Sequence, residues 1–85
     1  MSDNNNIVLY GTNWCGGSRR VSRFFDEHEI PYHYINIDAD KNAALFVENV
    51  NRGFRSVPTI VWPDGSMLVE PSLSDLAKKT GVHLP

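Results

Sequence analysis

The chain has 85 residues, a hydrophobic content of 41% and a formal net charge of −2 at pH 7. This composition predicts one folded domain over residues 1–85, with 1–6 as a loose polar lead-in, and it excludes the basic surface of a nucleic-acid-binding protein. No apolar run approaches the ~20 residues that cross a bilayer, so we expect no membrane partner and a cytoplasmic location. The single cysteine, Cys15, excludes an intrachain disulfide and a cysteine-rich zinc site.

The first half of the sequence predicts a β-α-β unit. A buried strand at Ile7–Tyr10 is followed by a helix from about Ser18 to Glu29. The residues expected on the buried face of this helix are Val21, Phe24, Phe25 and His28. The helix ends at Ile30-Pro31, because the residue before a proline is displaced from the helical region. Tyr32–Ile37 is rich in aromatic and β-branched residues and forms the next strand, parallel to the first.

The second helix begins at Asp40, which has the side chain of an N-cap residue. Apolar residues recur at helical spacing after it and predict a buried face of Ala43, Phe46, Val47 and Val50. Asn51-Arg52-Gly53 is a C-terminal stop signal.

A strand at Val57–Trp62 follows, with a proline near its start, and Pro63–Ser66 has the composition of a tight turn. Met67–Val69 then returns as the hairpin partner of this strand. Ser72 and Asp75 form a capping box for a last helix whose core-facing residues are Leu73, Leu76 and Ala77, and Gly81 closes it. The predicted order is β-α-β-α-β-β-α.

The motif Trp14-Cys15-Gly16-Gly17-Ser18 lies between the first strand and the first helix. At such a turn, helix N–H groups and the positive end of the helix dipole favour the anionic form of a thiol. The two glycines let a second backbone or a small substrate approach the sulfur. The placement predicts a nucleophilic cysteine, since a structural cysteine is expected within an apolar run.

Four further motifs accompany Trp14-Cys15 in chain order. They are Val50-Asn51-Arg52-Gly53, Arg55-Ser56-Val57-Pro58-Thr59, Pro63-Asp64-Gly65-Ser66 and Glu70-Pro71-Ser72. Together they resemble the glutaredoxin family, and within it the mycoredoxin-like branch. The resemblance implies an α/β thioredoxin-like fold of glutaredoxin size, with a four-stranded mixed sheet flanked by helices.

The resemblance also implies roles for individual residues. Cys15 matches the nucleophile that attacks a disulfide sulfur, and Pro58 matches a proline that follows a cis peptide bond and lies against the thiol. The backbone of Val57 would pair with an extended substrate. Residues expected around the cleft are Tyr10 and Trp14 at its edges, Gly53, Phe54 and Arg55 as its wall, and Arg52 or Arg55 for a substrate carboxylate.

Ser18 stands where most redox-active relatives carry a second, resolving cysteine. The chemistry that remains is that of a monothiol oxidoreductase, in which Cys15 takes up a small thiol of the glutathione or mycothiol type and a second thiol molecule releases it. Ser18 is included in the catalytic set because its hydroxyl can donate to the Cys15 thiolate, and it is either natural or a replacement for a cysteine. We expect a monomer without a tightly bound cofactor, acting on mixed disulfides of proteins.

Other functions remain open from the sequence. Cys15-Gly16-Gly17-Ser18 is one residue from the Cys-Gly-Phe-Ser motif of relatives that bind an iron-sulfur cluster between two subunits. A redox-inactive interaction module is a further alternative, and Cys15, Ser18 and Arg19 also resemble the opening of arsenate reductases. Glu70-Pro71 replaces the Gly-Gly step of glutathione-binding glutaredoxins, which leaves the identity of the small thiol open. Arg19, Arg20 and Arg23 are expected on a solvated helix face, although Arg19 lies one turn from the thiol and could stabilise a thiolate.

Overall fold

The computed structural model describes residues 6–84 and contains seven helices and strands in the predicted order. Their bounds are β1 Ile7–Gly11, α1 Gly16–Glu27, β2 Tyr32–Asn36, α2 Lys41–Val50, β3 Thr59–Val61, β4 Met67–Val69 and α3 Leu73–Thr80. Except for Asn6, the lead-in predicted at 1–6 lies outside the described residues. Within residues 6–84, no helix combines the length and the apolar character that crossing a membrane requires.

The four strands form one mixed sheet in the order β2-β1-β3-β4. Strand β1 runs parallel to β2 and antiparallel to β3, and β3 pairs with β4 as an antiparallel hairpin. The parallel β-α-β unit and the final hairpin are therefore confirmed. The arrangement places the end of β1, and the turn that follows it, at the centre of the sheet.

Two clusters of buried side chains occupy opposite faces of β1, because successive side chains of a strand point to opposite sides. Leu9, which is fully buried, belongs to the larger cluster; the other members are Ile7, Val21, Phe24, Phe25, Ile60, Trp62 and Leu76. Its neighbour Tyr10 packs against the smaller cluster, made of Ile37, Ala43, Ala44 and Val47. Helices α1 and α3 thus cover one face of the sheet and α2 covers the other.

The first helix differs from its prediction at both ends. It begins at Gly16, two residues before Ser18, because the side chain of Cys15 acts as the N-cap. It ends at Glu27, before the Ile30-Pro31 pair, because Glu29 adopts a left-handed backbone with φ of +56°. His28 was predicted on the buried face, but it is the exposed C-cap residue, and its ring packs against that of Phe24 with 4.7 Å between ring centroids.

The predicted buried faces of the other helices were wrong at two positions. Val50 lies at the last turn of α2 and is exposed, while Ala44 is buried in its place. Leu73 lies at the first turn of α3 and is 40% exposed, so Leu76 alone is buried there. Both errors fall in the terminal turn of a helix.

The predicted caps are confirmed. The Asp40 side chain accepts from the N–H of Ala43 at 3.0 Å. Ser72 and Asp75 form the reciprocal capping box of α3, and Gly81 closes that helix with φ of +80°. These signals are local in sequence, which explains why they were predicted correctly.

Two strands are shorter than predicted. The first strand residue of β3 is Thr59, since Pro58 has no N–H to give to the ladder. At its other end Trp62 leaves the strand and its N–H donates to the Ser66 carbonyl at 2.9 Å, within the turn. Strand β2 ends at Asn36, although the N–H of Ile37 still donates to the Gly11 carbonyl.

Candidate active site around Cys15

The side chain of Cys15 is built into the start of α1. Its backbone is extended, with φ of −81° and ψ of 123°, and its sulfur accepts a hydrogen bond from the N–H of Ser18 at 3.5 Å. The sulfur lies 3.9 Å from the carbonyl oxygen of Val57 and remains partly accessible to solvent. The only thiol of the chain therefore lies at a helix N-terminus, where free N–H groups favour an anion.

The surroundings of Cys15 lower the pKa of its thiol. Partial burial is the largest influence and opposes ionisation, but it is outweighed by hydrogen bonds from the Ser18 hydroxyl, the Ser18 N–H and the Gly17 N–H. The negative charge of Glu70 also acts against ionisation. Because the thiolate is the nucleophile in disulfide exchange, the net effect raises the reactive fraction at neutral pH.

A cis peptide bond joins Val57 and Pro58, as the resemblance implied. Pro58 is buried and lies against the start of α1: a Cβ atom added to Gly17 would lie 3.1 Å from the Pro58 Cδ atom and 3.7 Å from the Cys15 sulfur. A side chain at Gly17 would thus crowd both the proline and the thiol. The glycine allows the thiol, the helix start and the proline to meet.

Ser18 is buried beneath the thiol, with 1% of its surface exposed. Its hydroxyl accepts from the N–H of Thr12 at 3.3 Å, which ties the start of α1 to the end of β1. Gly11 makes room for it, because a Cβ atom at Gly11 would lie 2.5 Å from the Ser18 Oγ atom. Ser18 therefore supports Cys15 from below and does not face the solvent.

A cavity of about 240 Å³ opens directly over the thiol. The residues that line it are Cys15, Gly17, Arg20, Val57, Pro58, Glu70 and Pro71. Three of the predicted site residues, Cys15, Val57 and Pro58, thus meet around one space, which is large enough for part of a small-molecule thiol. Their separation in sequence is bridged by the pairing of β1 with β3.

Three other predicted site residues do not line this cavity. Tyr10 is half-buried and its ring packs against Phe46, with 5.0 Å between ring centroids. Trp14 is 72% exposed, and its indole N–H donates to the Asp38 carboxylate at 2.8 Å. The Nε atom of Arg55 lies 2.6 Å from a carboxylate oxygen of Glu48. Their roles in substrate binding stay predictions.

The sequence missed two charged residues of the cavity. Arg20, expected on a solvated face, lies three residues after Gly17 and so shares its side of the helix. Glu70 was noted only as a departure from the Gly-Gly step, yet it faces the thiol from the segment after β4. The helical spacing of Gly17 and Arg20 was a signal in the sequence that could have placed Arg20 at the cavity. The position of Glu70 depends on the tertiary fold and has no such signal.

A second cavity, of about 220 Å³, is bordered by Arg19 and not by Cys15. The residues that line it are Thr12, Asn13, Ser18, Arg19, Ser22 and Tyr34. Arg19 therefore faces a different space from Arg20. Among residues 6–84, no three or more His, Cys, Asp or Glu side chains are grouped in a way that could hold a metal ion.

Replacing Ser18 by alanine is expected to raise the pKa of Cys15, because the variant loses a hydroxyl that lowers it. At pH 7 the thiol should react at least about tenfold more slowly with iodoacetamide, as expected for the loss of one hydrogen bond of about 1.5–3 kcal/mol to an anion. At a pH well above the Cys15 pKa of both proteins, the alkylation rates of Ser18→Ala and the unmodified chain should converge. The measurement is the alkylation rate against pH.

Ser22→Ala is the matched control for this prediction, because Ser22 lies one turn further along α1 and bonds to Tyr32 instead of the thiol. Its alkylation profile should match that of the unmodified chain. If the pH midpoint of the alkylation rate is the same for Ser18→Ala and the unmodified chain, the assigned role of the Ser18 hydroxyl is contradicted.

A partly accessible thiol with a lowered pKa, at a helix N-terminus and beside a cis-proline, is typical of a thioredoxin-like redox site. The overall fold agrees: a mutant of the thioredoxin-like protein BC3987 superposes with a TM-score of 0.80 at 19% identity, covering 92% of this chain and 97% of that one. This similarity concerns the fold alone.

Sequence comparison defines the family within this fold. The glutaredoxin family model matches residues 7–67. A protein named as a glutaredoxin from Mycobacterium tuberculosis strain H37Rv is 37% identical over 73 residues, covering 86% of this chain and 87% of that protein. Mycoredoxin 1 of Corynebacterium glutamicum is 34% identical over 74 residues, covering 87% of this chain and 91% of that protein. The chain belongs to the glutaredoxin family, whose members are thiol-disulfide oxidoreductases.

Proposed function

We propose that this chain is a monothiol oxidoreductase that reduces mixed disulfides between proteins and a low-molecular-weight thiol, with Cys15 as its nucleophile. The observation that carries the proposal is the setting of Cys15: the only thiol of the chain caps α1, has a lowered pKa and opens into the cavity beside Pro58. The small thiol is of the glutathione or mycothiol type and acts as co-substrate.

In the first step, the Cys15 thiolate attacks the sulfur of the small thiol in the mixed disulfide. A new disulfide forms between Cys15 and the small thiol, and the protein sulfur leaves as a thiolate that takes a proton from solvent. In the second step, the thiolate of another small-thiol molecule attacks the sulfur of the bound small thiol. This releases a symmetric disulfide and regenerates the Cys15 thiolate, so the incoming small-thiol molecule is oxidised and the protein sulfur is reduced.

The other residues around the cavity support these steps. Ser18 holds and stabilises the thiolate from the buried side, and the absence of a side chain at Gly17 leaves space beside the thiol and Pro58. The partly accessible backbone of Val57 offers hydrogen-bonding groups to an extended substrate. Trp14 remains a candidate for contact with the protein substrate because its ring is exposed near the thiol. Arg55 would contribute only after its ion pair with Glu48 opens.

The proposed working unit is one glutaredoxin-like domain that acts as a monomer. Both proposed steps take place between Cys15 and small molecules or a protein substrate from outside the chain, so neither requires a second subunit. The proposed compartment is the cytoplasm, where small thiols are kept reduced and can regenerate Cys15.

A synthetic peptide whose single cysteine carries 2-mercaptoethanol as a mixed disulfide tests the proposal. We expect the protein to release the free peptide and to carry one mercaptoethanol group on Cys15, identified by mass spectrometry of the intact protein and its fragments. Added 2-mercaptoethanol should remove this group, and the steady-state rate should increase in proportion to its concentration. Cys15→Ala should lower the rate at least about a hundredfold, to the uncatalysed level, because it removes the nucleophile.

Ser2→Ala is a suitable control, since it changes a small polar residue far from Cys15 in sequence. Its rate should equal that of the unmodified chain. A wild-type protein that forms no adduct, or that turns over at the rate of Cys15→Ala, would contradict the proposed function. An iron-bound dimer after anaerobic reconstitution, with no disulfide exchange, would instead support the cluster-binding alternative.

A further inference from the structure

Glu70 occupies a fixed position on the wall of the thiol cavity. Its N–H donates to the Pro58 carbonyl at 2.8 Å, and its backbone is left-handed, with φ of +50°. Pro71, which follows it, is buried and also lines the cavity. The segment that carries the carboxylate is therefore attached to the residue that lies against the start of α1.

The carboxylate of Glu70 is not neutralised by a neighbour. Between residues 6 and 84 the ion pairs are Arg55–Glu48 and Lys79–Asp64, and neither involves Glu70. Arg20 lines the same cavity, but its guanidinium does not pair with Glu70. A bound molecule would therefore meet a negative group on one wall and a positive group on the other.

We propose that Glu70 is a specificity-determining residue that selects against mixed disulfides whose small thiol carries a carboxylate close to its sulfur. The favoured class is small thiols with hydroxyl or ammonium groups near the sulfur, because these can donate hydrogen bonds to the Glu70 carboxylate. This inference rests on the proposed function, and it narrows the co-substrate of the same site.

The charge of Glu70 acts on the atoms that react. It opposes ionisation of the Cys15 thiol, whereas Arg20 is not among the groups that shift the pKa of that thiol. Of the two charged walls of the cavity, the acidic one is therefore the one that acts on the sulfur. An anionic group brought beside the sulfur by a disulfide substrate would be repelled by Glu70 as well as by the thiolate itself.

Three symmetric disulfides that differ mainly in charge test this inference. They are cystamine, with two ammonium groups, bis(2-hydroxyethyl) disulfide, which is neutral, and 3,3′-dithiodipropionate, with two carboxylates. The rate of adduct formation on Cys15 is measured for each in the unmodified chain and in Glu70→Gln. The variant should increase the ratio of the dithiodipropionate rate to the cystamine rate by about three- to tenfold at low salt, as expected for one exposed charge at short range.

The ratio of the dithiodipropionate rate to the cystamine rate separates the effect of substrate charge from the effect of Cys15 ionisation. Glu70→Gln also lowers the pKa of Cys15, but the resulting change in thiolate fraction affects all three probes equally. The neutral disulfide should shift by an intermediate amount. At 1 M salt, where the Debye length is about 3 Å, the ratios of the two proteins should converge.

Glu27→Gln is the matched control, since it removes the same charge from the opposite end of α1, about 16 Å along the helix from Gly16. It should leave the ratio unchanged. An unchanged ratio in Glu70→Gln, or an equal change in Glu27→Gln, would overturn the role of Glu70 while leaving the proposed function intact. No reaction of the unmodified chain with any of the three disulfides would overturn both.

Discussion

Replacing Ser18 by cysteine is expected to convert the monothiol site into a dithiol site. In the unmodified chain, a mixed disulfide on Cys15 should persist until an external thiol attacks it, since Cys15 is the only cysteine. In Ser18→Cys the introduced thiol should attack the Cys15 sulfur, close an internal disulfide and expel the bound small thiol. The release should occur without added thiol and at least about a hundredfold faster than in the unmodified chain, because the attacking group is held in place.

The position of Ser18 supports this expectation. Its N–H lies 3.5 Å from the Cys15 sulfur, and residues three apart on a helix are neighbours on its surface. The side chain is buried below the sulfur, in space that Gly11 leaves free. The reacting atoms therefore start within one helical turn of each other.

Mass spectrometry of the purified adduct in thiol-free buffer provides the measurement. The expected product for Ser18→Cys is a protein two hydrogens lighter than its reduced form, with the small thiol in solution. Ser22→Cys is the matched control: its position is seven residues from Cys15, about 10 Å along the helix, which is beyond the reach of a disulfide. A stable adduct on Ser18→Cys would show that the serine position cannot support the resolving step.

Features fixed by neighbouring residues were predictable from the sequence. The caps at Asp40 and Ser72 and the end of α3 at Gly81 each depend on a few adjacent residues, and all three are confirmed. The hairpin around Pro63–Ser66 belongs to the same group. The start of α1 was predicted two residues too late, because cysteine is not among the common N-cap residues and the sequence pattern favoured Ser18.

Burial at the ends of helices was not predictable from periodicity. The apolar spacing defined the correct side of α2 and α3, yet Val50 and Leu73 on those sides are exposed. Periodicity defines a direction, whereas burial also depends on how far the opposing sheet extends. Strands β3 and β4 have only three residues each, and Val50 and Leu73 lie in the terminal turns of their helices.

The candidate site was predictable as far as the family resemblance extended. Cys15 and Pro58 are 43 positions apart, and only the matched motifs indicated that they would meet. Arg20 and Glu70 carry no such signal, because an exposed charge in the sequence looks the same on a solvated face as on a cavity wall. Their assignment required the fold, which brings the segment after β4 to the start of α1.

The largest effect on stability is expected for Phe25→Ala. Phe25 is fully buried within the larger cluster, and its ring lies 5.0 Å from that of Tyr32 and 6.0 Å from that of Trp62, between centroids. Its truncation removes apolar contacts and leaves a cavity, which costs about 3–5 kcal/mol. Domains of this size have a free energy of unfolding of about 5–10 kcal/mol, so the variant should be close to unfolding at 37 °C.

Urea denaturation followed by circular dichroism measures this loss, and Leu45→Ala is the matched control. Leu45 is also a large apolar residue on a helix, but it is 55% exposed and its truncation should change the free energy of unfolding by less than about 1 kcal/mol. Phe25→Leu, which retains most of the volume, should fall between the two. A cost below about 1 kcal/mol for Phe25→Ala would mean that other side chains hold α1 on the sheet.

Since α1 carries the N–H groups that lower the pKa of Cys15, partial unfolding of Phe25→Ala should also return the alkylation rate toward that of a free thiol.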